Sequence, residues 1–362
     1  MTLALLFALL FSPALAGDQF HDKDDNIGPV DPVLPEIING TQATPEQWPE
    51  TGALIAQGKG TFFGRPFEMT ALMCSSTLIA PDVVLLAAHC VDREAIEATG
   101  GQLDELDFYW SKQIDLTAYA GGEANAVPID AVHGWDAPMH PGWAGIAGVQ
   151  VGIAINNDVA LLFLNEAQLD VPYAYLITSD EGPQVVSDAP VTIVGWGHQQ
   201  QIGQWEQPPP GSTGIKHVAE TFIGAVGQTE IQIGRAAEEG RKCHGDSGGP
   251  TFMEVVTDST VTTRLIGVTS HAFDETDCNE KGGVDTRVDF YLDWIDQEMR
   301  ERCADGSRAW CDEPGIILPP EPKVDEPEDD IAKACGCQTG TTGSLLPLLL
   351  GGLVLGLRRR KR

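Results

Sequence analysis

Cys243-His244-Gly245-Asp246-Ser247-Gly248-Gly249-Pro250 is the stretch of this chain best suited to chemistry. A serine hydroxyl is a weak nucleophile at its free pKa. It needs a neighbouring base, and donors for the negative charge that develops on a substrate oxygen. Glycines around Ser247 let the backbone point two N–H groups at one spot and leave room for a substrate. The base, and a group to orient it, must come from elsewhere. Two upstream segments offer them. Leu85-Leu86-Ala87-Ala88-His89-Cys90 ends an apolar run on an imidazole. Cys74 lies across a predicted hairpin from Cys90, and a crosslink there would stiffen the strand end. Asn157-Asp158 then heads the apolar run Val159 to Leu164, and a carboxylate entering an apolar interior needs a partner.

These residues need a frame. From Ile37-Ile38-Asn39-Gly40 to about Cys303 the chain reads as short β-type runs divided by Gly, Pro, Asn and Asp. Examples are Ser76–Ala80, Val83–Ala87, Val159–Leu164, Val191–Trp196 and Leu265–Ser270. Many short strands without alternating helices indicate an all-β sandwich or barrel. One helix is predicted, Asp289 to Arg300, with Phe290, Trp294 and Met299 near one face and Leu292 and Ile295 widening it. The Trp- and Gly-rich stretch from Gly121 to Gly148 reads as an insert, either a long solvated loop or a docking surface.

Composition narrows the partners. A chain of 362 residues with 42% hydrophobic residues, 40 Gly and 24 Pro suits one large, turn-punctuated domain with appendages. The formal charge of −31 argues against nucleic-acid binding and for a self-repelling, soluble surface. Eight cysteines contain no Cys-x-x-Cys pair, and no histidine stands at zinc-like spacing from them, so disulfides are expected rather than a metal or other cofactor. Met1 to Ala16 is an apolar run closed by Ala14-Leu15-Ala16, the pattern of a signal peptide, which implies export and permits disulfides. Gly17 to Glu36 is polar, acidic and Pro-containing, and reads as a pro-segment.

LAAHC, NDVALL and CHGDSGGP, in that order, resemble the three catalytic boxes of the trypsin/chymotrypsin-like serine proteases. The resemblance extends through Ile37–Gly40, Val194-Gly195-Trp196-Gly197, Gly267–Ser270 and Gly283–Val288 into the predicted helix, covering about residues 37 to 302. It implies two six-stranded antiparallel β-barrels with a C-terminal helix, and a serine endopeptidase acting on proteins or peptides. It implies Ser247 as nucleophile, His89 as general base and Asp158 as the group that orients it. The N–H groups of Gly245 and Ser247 would form the oxyanion hole, and Ser270 would support Asp158. Cys74–Cys90 and Cys243–Cys278 match disulfides of the family, and Cys303–Cys311, spanning a short hydrophilic loop, is the inferred third pair. A zymogen is implied as well: cutting Glu36–Ile37 would free the Ile37 amine to pair with Asp246. The alternative from another class is a catalytically inactive binding protein on the same fold, although no triad member or oxyanion glycine is missing.

Specificity stays open at this level. In the resembling family, the residue six before the nucleophile lies at the base of the primary pocket; here it is Arg241, followed by Lys242. His244 and His271 are placed near the pocket mouth, with Ser270, Ala272, Gly283 and Asp285 also lining it. Basic groups favour an acidic substrate side chain. Pairing of Asp285 with Arg241 or Lys242 would cancel them and leave a small, apolar or basic preference.

Residues 303–334 read as an acidic, Pro-rich linker and 335–362 as a tail. Cys335-Gly336-Cys337, the apolar run Leu345–Leu357 and the basic cluster Arg358–Arg362 resemble the C-terminal sorting tails of myxobacterial surface proteins. That resemblance implies a sorting protease acting near Cys335 and Cys337 and retention at the cell surface. A plain single-span membrane anchor is the other reading.

Overall fold

The computed structural model describes residues 37–311, apart from 63–64, 99–100, 123, 200–210, 275–277, 279 and 309–310. The segments read as leader, pro-segment, linker beyond Cys311 and tail, the last with Cys335 and Cys337, lie outside the described residues.

The chain forms β1 (Thr41–Gln42), β2 (Thr51–Phe62), β3 (Arg65–Ala80), β4 (Val83–Leu86), helix α1 (Arg93–Glu97), β5 (Gly101–Ser111), β6 (Val132–Asp136) and β7 (Ala160–Leu164). Strands β2 to β7 close into an antiparallel barrel in the order β2-β3-β4-β7-β6-β5. Then come β8 (Pro190–Gly195), β9 (His217–Val226), β10 (Glu230–Ile233), β11 (Pro250–Thr257), β12 (Thr260–Ala272), β13 (Gly283–Arg287) and helix α2 (Leu292–Ala304). Because β9 pairs with both β8 and β10, these strands close a second six-stranded ring, β8-β9-β10-β13-β12-β11. β1 pairs with the start of β9, carrying the beginning of the described chain onto the second barrel. The fold is the two-barrel architecture expected of the resemblance.

Two strands explain where the site arises. Val-Val-Leu-Leu of β4 and Ala-Leu-Leu-Phe-Leu of β7 are apolar and buried at every position, the mark of strands covered on both faces. They are antiparallel neighbours, with Leu86 opposite Ala160. The chain leaving β4 and the chain entering β7 therefore meet at one end of the first barrel. His89 follows the first and Asp158 precedes the second.

Two expectations shift. The centre of the Gly121–Gly148 stretch is β6, a barrel strand paired with β5 and β7 rather than an outlying loop. Its Gly134 reads as a loop signal in sequence, yet a Cβ there would sit 2.3 Å from the Leu162 side chain, so the glycine permits close strand packing. The helix also starts later than predicted. Val288–Phe290 form a 3-10 turn that leaves Phe290 exposed, while Leu292, Trp294, Ile295 and Met299 of α2 are buried. No helix among the described residues is long and apolar enough to cross a membrane.

Packing continues past α2. Cys303 and Cys311 are joined in a disulfide, and within that loop Arg308 reaches back to Asp82, in the β3–β4 turn. Its Nη2 and Nε donate to Asp82 Oδ1 at 2.8 and 3.2 Å, with both residues buried. Breaking a buried pair strands a charge in the interior, at a cost of about 3–5 kcal/mol. Arg308→Ala should therefore lower unfolding stability by about 3 kcal/mol or more in urea titrations. A loss below about 1 kcal/mol would show that the pair contributes like an exposed one.

Candidate active site

His89 sits in a single 3-10 turn, Ala88–Cys90, directly after β4. The Cys74–Cys90 disulfide ties that turn back to β3. Asp158 grips His89 twice: Oδ2 lies 2.7 Å from the ring Nδ1, and Oδ1 accepts the backbone N–H of His89 at 2.9 Å. The Ser270 hydroxyl donates to the same Oδ2 at 2.6 Å. Burial works against charge on both partners. Their mutual attraction outweighs it, holding the imidazole pKa above its usual value and the carboxylate pKa below its own. The geometry fixes Nδ1 toward Asp158 and leaves Nε2 as the ring's other nitrogen.

Ser247 is half-buried in the loop between Arg241 and β11. Its neighbour Gly248 has φ +75°, and a Cβ there would sit 2.5 Å from Ser75 O and 3.2 Å from the Ala87 nitrogen. Only glycine lets this loop lie so tightly against the chain that leads to His89. Gly245 has φ +95° and packs against Gly197 with the same exclusion of a side chain. The N–H groups of Gly245 and Ser247 have no hydrogen-bond acceptor among the described residues. Ser247 Oγ makes no hydrogen bond to His89 among those residues either. Such contacts commonly tighten only when a substrate is bound.

The remaining predicted residues divide into groups. Asp246 is fully buried and accepts the N–H groups of Gly197 and Cys243, each at 2.9 Å. Burial, only partly offset by those donors, pushes its pKa up to about 6. Lys242 is buried as well, with Nζ 2.7 Å from Asp285 Oδ2 and 2.8 Å from Thr251 Oγ1. Arg241 takes neither carboxylate. Its guanidinium reaches the carbonyls of Cys278 and Ala237 at 3.4 Å, its Nε has no partner, and it forms no ion pair among the described residues. The backbone N–H of Arg241 donates to Ile38 O at 3.0 Å, which draws the buried Ile37-Ile38 pair to this side of the second barrel. Cys243 and Cys278 are disulfide-bonded.

His244 packs edge-on against His198. His271 is turned toward the segment before Asp158, with Nε2 3.1 Å from Gly152 O and Nδ1 3.0 Å from Ser270 Oγ. It thus stands with Ser270 rather than with Arg241 and Lys242. Ala272 and Gly283 face each other across β12 and β13. Cys74, His89 and Cys90 cluster closely enough to hold a metal, but both sulfurs are already bonded to each other.

Three important side chains were given no role by the sequence alone. Ser75, buried in β3, donates its N–H to Ser247 O at 2.9 Å and its hydroxyl to Gly245 O at 2.9 Å, and accepts the Trp196 N–H at 3.1 Å. A small polar residue beside Cys74 in a run of buried positions was the available signal. The Thr286 hydroxyl donates to Asp158 O at 2.9 Å. Asp92 caps α1, accepts from Trp143 Nε1 at 2.8 Å, and adds negative potential near His89.

The chain is 27% identical over 273 residues to proproteinase E of Bos taurus, covering 73% of this chain and 94% of that protein. It is 27% identical over 275 residues to chymotrypsin-like elastase family member 3B of Homo sapiens, covering 73% and 88%. Among solved structures, neuropsin, a serine protease expressed in the limbic system of mouse brain, aligns with a TM-score of 0.49 at 20% identity, over 72% of this chain and 99% of that one. The family model described as Trypsin matches residues 37–295. This chain belongs to the trypsin family of serine proteases.

Proposed function

We propose that the chain is a serine endopeptidase that cleaves peptide bonds through a covalent acyl-enzyme. The observation that carries this reading is the double grip of Asp158 on His89, beside a serine loop with two unclaimed N–H groups. Ser247 Oγ attacks the peptide carbonyl carbon while His89 Nε2 takes its proton. The N–H groups of Gly245 and Ser247 receive the oxyanion, a contribution of about 3–4 kcal/mol per donor. His89 returns the proton to the departing amine. A water molecule, deprotonated by the same ring, then hydrolyses the ester. Asp158 holds the ring's tautomer and stabilises its cationic form.

Activation follows from buried charge. Two carboxylates, Asp246 and Asp285, share this interior with one ammonium, Lys242. Cleavage of Glu36–Ile37 would supply the missing positive charge as the Ile37 amine, allowing Asp246 to remain ionised and the pocket to order. Specificity follows from Arg241, which forms no ion pair among the described residues and feels only the more distant charge of Glu280. With Lys242 neutralised by Asp285, an acidic side chain before the scissile bond is the fitting complement to Arg241. Glu36 itself would satisfy that preference. Three disulfides and the leader-like Met1–Ala16 support export, and the 335–362 sequence supports attachment at the cell surface.

A fluorophosphonate probe should label the processed protein at Ser247, and Ser247→Ala should abolish both labelling and peptide cleavage. Failure to label folded, processed protein would favour an inactive binding protein on this fold. His89 acts as base only when neutral, and its pKa is raised. The acid limb of kcat/KM should therefore have its midpoint above the ordinary imidazole value of about 6.5. A peptide library read at the residue before the cut should be enriched in Glu and Asp, and Arg241→Ser should remove that enrichment. Equal cleavage after acidic and apolar residues would end the role given to Arg241. A chain made uncleavable at Glu36–Ile37 should be nearly inactive; full activity would remove the activation mechanism.

A further inference from the structure

Glu230 opens β10 with a side chain fully shielded from solvent, and none of the chemistry above uses it. All the donors its carboxylate meets among the described residues belong to the segment that leads into Asp158. Oε2 accepts the Ala154 N–H at 2.7 Å. Oε1 accepts from Asn156 Nδ2 at 2.9 Å and from the Asn156 N–H at 3.3 Å. The adjacent Thr229 hydroxyl donates to Ala154 O at 2.8 Å. Asn156 in turn braces the loop internally, accepting the Gln150 N–H at 2.8 Å and donating to Gln150 O at 3.1 Å.

The register makes this more than a local clamp. Glu230 and Thr286 are direct partners across β10 and β13. Thr286 holds the carbonyl of Asp158, and Glu230 holds Asn156, two residues earlier. One cross-strand pair of the second barrel thus fixes two points on the chain just before it enters β7 of the first. Asn157, between them, has φ +55° and is tied to Gly142 O at 3.0 Å and to the Tyr291 hydroxyl at 3.1 Å. Burying a carboxylate is costly unless its oxygens are satisfied, and here the satisfying donors all lie along the approach to the group that orients His89.

We propose that Glu230 is a positioning residue for the catalytic triad: it sets the backbone at Asn156–Asp158 and thereby aims the Asp158 carboxylate at His89. The inference rests on the reading of His89, Asp158 and Ser247 as that triad. Glu230 touches neither substrate nor reacting atoms, and its effect passes through Asp158. Misplacing a supporting group by about 1 Å can cost up to about 100-fold in rate.

The test compares purified, processed wild-type, Glu230→Ala and Glu230→Gln proteins, well below their unfolding midpoints. The readouts are the rate of fluorophosphonate labelling at Ser247, kcat and KM on one peptide, and the thermal midpoint. Glu230→Ala should slow labelling and lower kcat by about tenfold or more, with KM within about twofold. Glu230→Gln keeps an acceptor for Asn156 and should recover most of the rate. A folded Glu230→Ala protein that labels at the wild-type rate, with only its thermal midpoint lowered, would reduce Glu230 to a structural role and overturn the inference. If Glu230→Ala does not fold, Asn156→Ala decides: slowed labelling supports the proposal and an unchanged rate overturns it. Wild-type protein that never labels would sink the peptidase reading itself, and this inference with it.

Discussion

The structure depends on one buried anion. Asp158 brings a charge into an apolar region, and it is tolerated because its side-chain oxygens take three donors, the His89 backbone, the His89 ring and Ser270. Each donor comes from a different structural commitment: a 3-10 turn pinned by a disulfide, a ring that must keep one tautomer, and a strand of the other barrel. Moving any of them leaves the carboxylate underserved. The same requirement that makes the charge bearable also makes the imidazole's orientation a property of the whole fold.

The barrels cooperate through reciprocal loans. The first supplies His89 and Asp158, but Ser270 and Thr286 of the second hold Asp158. The second supplies Ser247, but Ser75 of the first holds the carbonyls of Gly245 and Ser247. Neither half can arrange the site alone. A glycine makes the contact between them possible at Gly248, where a Cβ would run into Ser75 and Ala87 of the first barrel.

Much of this was legible in sequence because the candidate site residues sit in short, unusual contexts. A histidine at the end of an apolar strand, an aspartate at the head of another, and a serine among glycines are local patterns. The antiparallel pairing of β4 and β7 then joins the first two. What could not be read is whatever depends on partners distant in sequence. Ser75, Thr286 and Glu230 are ordinary residues in ordinary strands, and their roles appear only once β3, β10 and β13 are in register. Lys242 and Asp285 were visible as a possible pair, but only the packing around Thr251 selects Lys242 over Arg241. The strand at Val132–Asp136 was masked by Gly134, and the helix start by Phe290, where an apolar residue lies on an exposed turn.

The loop from Cys303 to Cys311 has a mechanical meaning. A pull on the chain beyond Cys311 reaches the disulfide first, and then the Arg308–Asp82 pair that fastens the loop to the β3–β4 turn. The load is thereby divided between the last turn of α2, through Cys303, and the β3–β4 turn, through Arg308 and Asp82. A covalent ring and a buried ionic latch thus carry tension on the chain beyond Cys311 into two places, and one of them is the turn that leads straight into β4 and so toward His89.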